Sequence, residues 1–225
     1  MADFINTIDA LGDDAVIDSI IDRTITEFKD DVVTTLGIFK NDWNTFNSCK
    51  NLTKVECPNV TEICKGAFSN CTALTEVSFP LVGTVSDYCF LSCTSLISIN
   101  FPLAKNLRIS AFDGCRSLTR VDLPSVEWMS LYVFIGCYSL TTVILRSETI
   151  VTLAGGANVF NNCYHIQGKK DATYNPNGDK DGYIYVPRAL LSDDDETKDY
   201  RRATNWTTYA SQIRAIEDYP EITGG

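Results

Sequence analysis

The sequence predicts an α/β-type solenoid: about six coils of 22 residues, each with a short strand. Three observations predict it. Cys49, Cys71, Cys93, Cys115, Cys137 and Cys163 follow one another at intervals of 22, 22, 22, 22 and 26 residues. A phenylalanine precedes each by three (Phe46, Phe68, Phe90, Phe112, Phe134, Phe160) and an aliphatic residue follows by three (Leu52, Leu74, Leu96, Leu118, Leu140, Ile166). A second aliphatic column (Val55, Val77, Ile99, Val121, Val143) and a proline column (Pro58, Pro80, Pro102, Pro124) keep the same period, which Arg146 breaks. Independent columns on one period are the mark of a repeat architecture.

Taken in order, residues 1–23 lie outside the repeats. IDALGDDAVIDSIIDR has apolar residues near helical spacing and early acids, which predicts a short acidic amphipathic helix as an N-terminal cap. Residues 24–48 read as a degenerate first coil, with VVTTLGIF as its return segment and an insertion before Phe46. Within a regular coil such as CTALTEVSFP, residues 71–80, Leu74, Val77 and Phe79 point inward while Glu76 and Ser78 point out, the alternation of a half-buried strand. Proline ends the strand because it has no ladder N–H. A return segment follows, and Phe and Cys three apart share one face of a helical turn. No coil buries its apolar face alone, so stacking supplies the core of a solenoid expected over 24–166. Residues 167–180, QGKKDATYNPNGDK, are a polar loop rich in turn formers.

KGAFSNCTALTEVSFP, residues 65–80, resembles the unit of the BspA-like leucine-rich repeat family, and the resemblance covers about residues 24–166. LYVFIGCYSLTTVILR at 131–146 and FNSCKNLTKVECP at 46–58 match less closely. DGYIYVPRALL at 181–191 and ATNWTTYASQI at 203–213 look like the C-terminal cap of such arrays, so 167–225 is expected to form loop and cap. The acidic insertion SDDDET at 192–197 and four extra residues around VTLAGGANVF depart from the pattern. The resemblance implies a right-handed coil array and a binding role in bacterial adhesion; phage-encoded members make a virion or tail component the alternative.

The ladder cysteines read as small buried thiols, because stacked coils keep their Cβ vectors parallel. Cys57 and Cys89 fall in inward columns as well, which leaves Cys64 as the expected exposed and reactive thiol. No CxxC occurs, so zinc has no support, and no cofactor is expected. Asn177, Asp179, Asp181 and Gly182 mimic the start of a calcium loop, but its twelfth position is Arg188 and a simple turn is the better reading. The single histidine, His165, has no Ser-Asp context, and neither GxxxxGK[ST] nor GxGxxG occurs, so no enzyme is expected. The net charge of −10 disfavours nucleic acid. No apolar run is long enough for membrane insertion. The start of the chain lacks a basic, apolar signal peptide. The expected location is therefore a bacterial surface, the extracellular space or a virion, and otherwise the cytoplasm. The repeat frame sets no oligomeric state.

Two surfaces remain as candidate binding sites for a protein or glycan ligand. The outward strand positions form ladders of mixed charge, in which Lys54, Glu76, Arg120 and Asp122 stand out. Such ladders suit solubility as well as recognition. In the fifth coil, mostly polar positions become Trp128, Leu131, Tyr132, Ile135 and Tyr138, with Tyr88 in the Tyr132 column two coils earlier. Either the cap or the 167–180 loop folds over them, or they form an apolar patch that marks a partner site.

Overall fold

The computed structural model describes residues 18, 20–36, 38–39, 43–154 and 156–223. The helix expected over 1–23 lies mostly outside them. At its described end the Asp22 N–H donates to the Asp18 carbonyl at 2.8 Å, and Ile20 is buried.

Two parallel ladders build the solenoid. The first stacks Glu27–Lys29, Lys54–Glu56, Glu76–Ser78 and Ser98–Asn100, and runs on as Arg120–Leu123, Thr142–Leu145, Tyr183–Val186 and Ile213–Ala215. The second stacks Thr35–Leu36, Glu62–Ile63, Thr84–Val85, Asn106–Leu107, Trp128–Met129 and Thr152–Leu153. Register follows the repeat: Val55 lies beside Val77, and Val77 beside Ile99. The irregular coils absorb their extra residues locally. Leu36 pairs with Ile63 at a spacing of 27, yet Phe46 and Phe68 are 22 apart, and the five extra residues fall at an antiparallel hairpin, Ile38–Phe39 with Trp43–Asn44.

Between the ladders each coil closes through the Phe–Cys turn. The Cys71 N–H donates to the Phe68 carbonyl at 3.2 Å, and the same bond recurs at Cys93, Cys115 and Cys137. The turn does not grow into a helix, because left-handed residues flank it. One column is Ser48, Asn70, Ser92, Gly114, Gly136 and Asn162; the other is Gly66, Tyr88, Ser110 and Tyr132, all with φ between 50° and 72°.

The phenylalanines stack through the core. Ring centroids of Phe46, Phe68, Phe90, Phe112, Phe134 and Phe160 are 5.2 to 5.7 Å apart, with planes within 7° of parallel. Each Phe N–H donates forward to the next coil, as from Phe68 to the Cys89 carbonyl at 2.9 Å. Each Phe carbonyl accepts a thiol from the next coil: Cys71 to Phe46, Cys93 to Phe68, Cys115 to Phe90, Cys137 to Phe112 and Cys163 to Phe134, at 3.0 to 3.2 Å. Burial pushes these five thiols well above the usual cysteine range, and Cys57 up to about 12. All nine cysteines lack a disulfide; Cys64 alone is half-buried rather than buried.

The C-terminal segment finishes the stack by two devices. In the first ladder it supplies further strands. At the second ladder it supplies side chains instead. In preceding coils the carbonyls equivalent to Val151 and Leu153 accept the next coil's N–H groups, as Glu127 and Met129 do from Thr152 and Ala154 at 2.9 Å. Here Trp206 Nε1 donates to the Val151 carbonyl at 2.7 Å and Asn205 Nδ2 to the Leu153 carbonyl at 2.8 Å. Two side chains thus stand in for a coil that does not follow. The Tyr200 hydroxyl accepts from the Val151 N–H at 2.9 Å. Tyr209 meets Phe160 edge-on at 5.4 Å and ends the ring stack. Asp199, fully buried, orders this segment through Arg201 Nε at 2.8 Å and Arg202 Nε at 3.4 Å. Burial alone would raise its carboxyl, but the Arg201 hydrogen bonds and the two cationic charges hold it below the usual carboxylate range.

Burial also pushes the Tyr200 and Tyr209 phenols well above the ordinary value. A phenol whose pKa is raised by folding contributes stability that is complete below the unfolded pKa of about 10 and is lost progressively as pH rises from there toward the folded pKa. The buried thiols act in the same direction. The thermal midpoint is therefore expected to start falling at about pH 8.5, where unfolded thiols ionise, and to fall further from about pH 9.5 to pH 11 as unfolded phenols join them. Tyrosinate absorbance of the buried phenols should appear only with the unfolding transition. A midpoint that stays flat across this range would contradict the burial of Tyr200 and Tyr209.

Candidate ligand-binding face

The outward side of the first ladder carries interleaved charges of both signs, several of them paired. Lys54 lies beside Glu76 in register, pairs with Glu56 within its own strand, and Glu56 also meets Lys29 at 3.3 Å. Arg120 lies 4.0 Å from Asp122, whose carboxylate is taken by Arg146 at 2.7 Å. Arg146 also donates to the Ile222 carbonyl at 2.8 Å. It thereby fixes the C-terminal turn over the strand, where Tyr185, Ile216 and Ile222 cover Ile144. The residue that breaks the proline column thus anchors the tail. Exposed pairs of this kind contribute little energy, so Lys54, Glu76, Arg120 and Asp122 offer a polar, charge-balanced surface whose far end is covered.

The second ladder presents a different side. Its outward column is Thr35, Glu62, Thr84, Asn106, Trp128 and Thr152, with Asn106, Trp128 and Thr152 in register. Trp128 is the only aromatic residue in it. The indole is half-buried, and the Arg108 guanidinium stands 5.7 Å from its centroid. An open groove of about 490 Å³ runs beside it, lined among others by Asn106, Arg108, Glu127, Thr149 and Thr152. Glu127 is held by Lys105 at 2.8 Å. In the following turn Leu131 and Tyr132 remain 39% and 38% exposed, and Tyr132 is the one aromatic residue among the exposed large apolar side chains of the described residues.

The structure divides the fifth-coil residues. Leu131 and Tyr132 stay exposed and Trp128 is half-buried beside the groove, whereas the equally half-buried Tyr138 is packed by the loop that follows the repeats. Its ring stacks on Tyr164 at 4.6 Å with planes 2° apart and meets Tyr174 at 4.8 Å, and the Arg116 guanidinium stands 5.3 Å from its centroid. His165 pins that loop, with Nδ1 2.7 Å from Asp181 Oδ1 and Nε2 2.8 Å from the Tyr174 carbonyl. Buried Asn175 holds it from within, donating to the Asp179 and Tyr164 carbonyls. Asp181 is thus a partner of His165, and no cluster of metal-ligating side chains occurs among the described residues. Tyr88 is half-buried under Lys65 at 5.2 Å. Cys64 shares the column of Ser86, Arg108 and Ser130. Arg108 escaped the sequence reading, although it is the one charged residue in that otherwise small column. The groove residues Thr149 and Thr152 lie where the last coil departs from the period, and no column pointed to them.

Residues 42–167 match the family model of the BspA type leucine rich repeat region in six copies. The chain belongs to this family. Among solved structures, a leucine-rich repeat protein of Bacteroides ovatus ATCC 8483 shares 18% identity over 86% of this chain and 46% of its own, with a TM-score of 0.53, and supports the fold. A leucine rich cell surface protein of Faecalibacterium prausnitzii A2-165 shares 25% identity over 56% of this chain and 40% of its own, at a TM-score of 0.43. A leucine-rich repeat protein of Eubacterium ventriosum ATCC 27560 shares 20% identity over 62% and 43%, at 0.44. The BspA-type chain covers less than half the length of each of these structures. A search of curated proteins finds no match. No helix among the described residues is long and apolar enough to cross a membrane.

Tyr132 sits at φ 62°, where the second coil has Gly66. A left-handed backbone costs a non-glycine residue about 1–2 kcal/mol, so glycine offsets the loss of the half-exposed ring. Tyr132→Gly is expected to change the unfolding free energy by no more than about 1 kcal/mol, and Tyr132→Val to destabilise more. Urea denaturation checks both. A glycine variant less stable than the valine variant would show that the backbone geometry is misassigned.

Proposed function

We propose that this BspA-type repeat chain is a non-enzymatic recognition module of a bacterial surface, which binds a protein or glycan ligand on the second-ladder side around Trp128, Leu131 and Tyr132. The observation that carries the reading is an aromatic step in an otherwise polar column. Half-buried Trp128 stands beside exposed Leu131 and Tyr132, and Tyr132 is the one aromatic residue among the exposed large apolar side chains of the described residues. Val32, Ile97 and Leu103 are more exposed, but they are aliphatic, whereas aromatic groups are the usual anchors of interfaces. Family membership supports the binding role, and solenoids commonly bind along an extended face.

Fluorescently labelled full chain on a glycan array and on immobilised intact bacterial and epithelial cells tests the reading. Trp128→Ala and Tyr132→Gly are each expected to reduce binding at least about tenfold, with thermal midpoints measured alongside to confirm folding. Glu76→Gln on the opposite ladder is expected to bind as wild type. Folded variants at Trp128 and Tyr132 that bind normally would place recognition elsewhere, and dependence on Glu76 would move it to the strand ladder.

A further inference from the structure

The groove beside Trp128 carries one charge that the fold does not answer. Glu127 is neutralised by Lys105. Arg120, Arg146, Arg188, Arg201 and Arg202 all pair with carboxylates. Arg108 is exposed and pairs with no carboxylate among the described residues; its side-chain contact is the Trp128 ring. Arg116 shares this pattern over Tyr138, but that ring already meets Tyr164 and Tyr174; Arg214 shares it over Tyr183, but its guanidinium donates to the Ser211 and Ile213 carbonyls.

Beyond the cation and the ring, the groove offers neutral hydrogen-bonding groups: the Asn106 amide and the Thr149 and Thr152 hydroxyls. An indole face receives the C–H face of a pyranose, and amides and hydroxyls receive its hydroxyls. A guanidinium receives a carboxylate through two parallel hydrogen bonds, which a neutral sugar cannot use. The volume of about 490 Å³ lies in the range of small-ligand sites. The lining has too little apolar surface for the core of a protein interface. The groove is open to solvent rather than a closed pocket, so it can admit a sugar that is part of a longer chain.

We propose that this groove binds a hexuronate residue of an acidic polysaccharide, with the pyranose against Trp128 and its carboxylate on Arg108. The proposal rests on the recognition reading above and narrows its ligand to an anionic sugar.

Titration of the full chain with trigalacturonate, followed by calorimetry and by tryptophan fluorescence, tests it. Expected are saturable binding with a change in emission, at least about tenfold weaker binding of the methyl-esterified trimer, and the same loss for Arg108→Gln, the size expected from one charge-assisted pair. Raising the salt concentration should weaken binding of the acid and not of the ester. Arg108→Gln removes an exposed head group and is expected to fold as wild type. No binding of trigalacturonate, or equal binding by Arg108→Gln, overturns the proposal. Tighter binding of sialyllactose than of trigalacturonate overturns the uronate, and tighter binding of polyglutamate overturns the sugar. Trp128-dependent binding of the ester or of neutral trisaccharides, indifferent to Arg108, overturns the anionic class while leaving the recognition face standing. Array binding indifferent to Trp128 overturns the face itself.

Discussion

The structure depends on the repeated junction between one coil's phenylalanine and the next coil's cysteine. The ring stacks on its neighbour, the Phe N–H donates forward, and the Phe carbonyl takes both the N–H of its own turn and the thiol of the coil that follows. A thiol suits this place for physical reasons. It is small enough to let rings approach to 5.2–5.7 Å, it carries one weak donor for one carbonyl, and burial keeps it protonated. Every other column takes its spacing from this junction, because the strands can pair in register only if the turns stack.

A stack so built is open at its ends, and the chain closes its C-terminal end with substitutes for a further coil. Tyr209 stands in for the next ring, and Trp206 and Asn205 for the next N–H groups. Cooperation between coils and this closure is what repeat proteins need, since each unit contacts only its neighbours. The tail then crosses the first ladder, held by Arg146, and removes Ile144 from solvent. These coverings give the open second-ladder face its meaning. Around Trp128 the chain places an aromatic surface beside a cation that meets no carboxylate among the described residues.

Much of this was legible in the sequence because period is a strong signal. Phe68, Cys71, Leu74, Val77 and Pro80 each stated their direction by recurring 22 residues apart. The non-periodic parts were not legible in the same way. The sequence places an insertion before Phe46 but does not show that it folds as a hairpin. Arg146 reads as a mere break in a column, since its partners Asp122 and Ile222 are 24 and 76 residues away. Tyr138 and Trp128 looked alike as aromatic intrusions. Only the path of the loop, set by His165 and Asn175, packs Tyr138 against Tyr164 and Tyr174 and leaves Trp128 beside the groove. Arg108 was silent because a single exposed arginine is ordinary until its lack of a carboxylate partner is seen.

The most direct test of the central claim is the stability of Phe112→Ala, measured by urea denaturation beside Leu103→Ala. Phe112 is stacked between Phe90 and Phe134, and Leu103 is 52% exposed. The account predicts a loss of about 3–5 kcal/mol for Phe112→Ala and within about 0.5 kcal/mol for Leu103→Ala. A loss at Phe112 below about 1 kcal/mol, or no greater than that at Leu103, would contradict the ring stack as the element on which the fold depends.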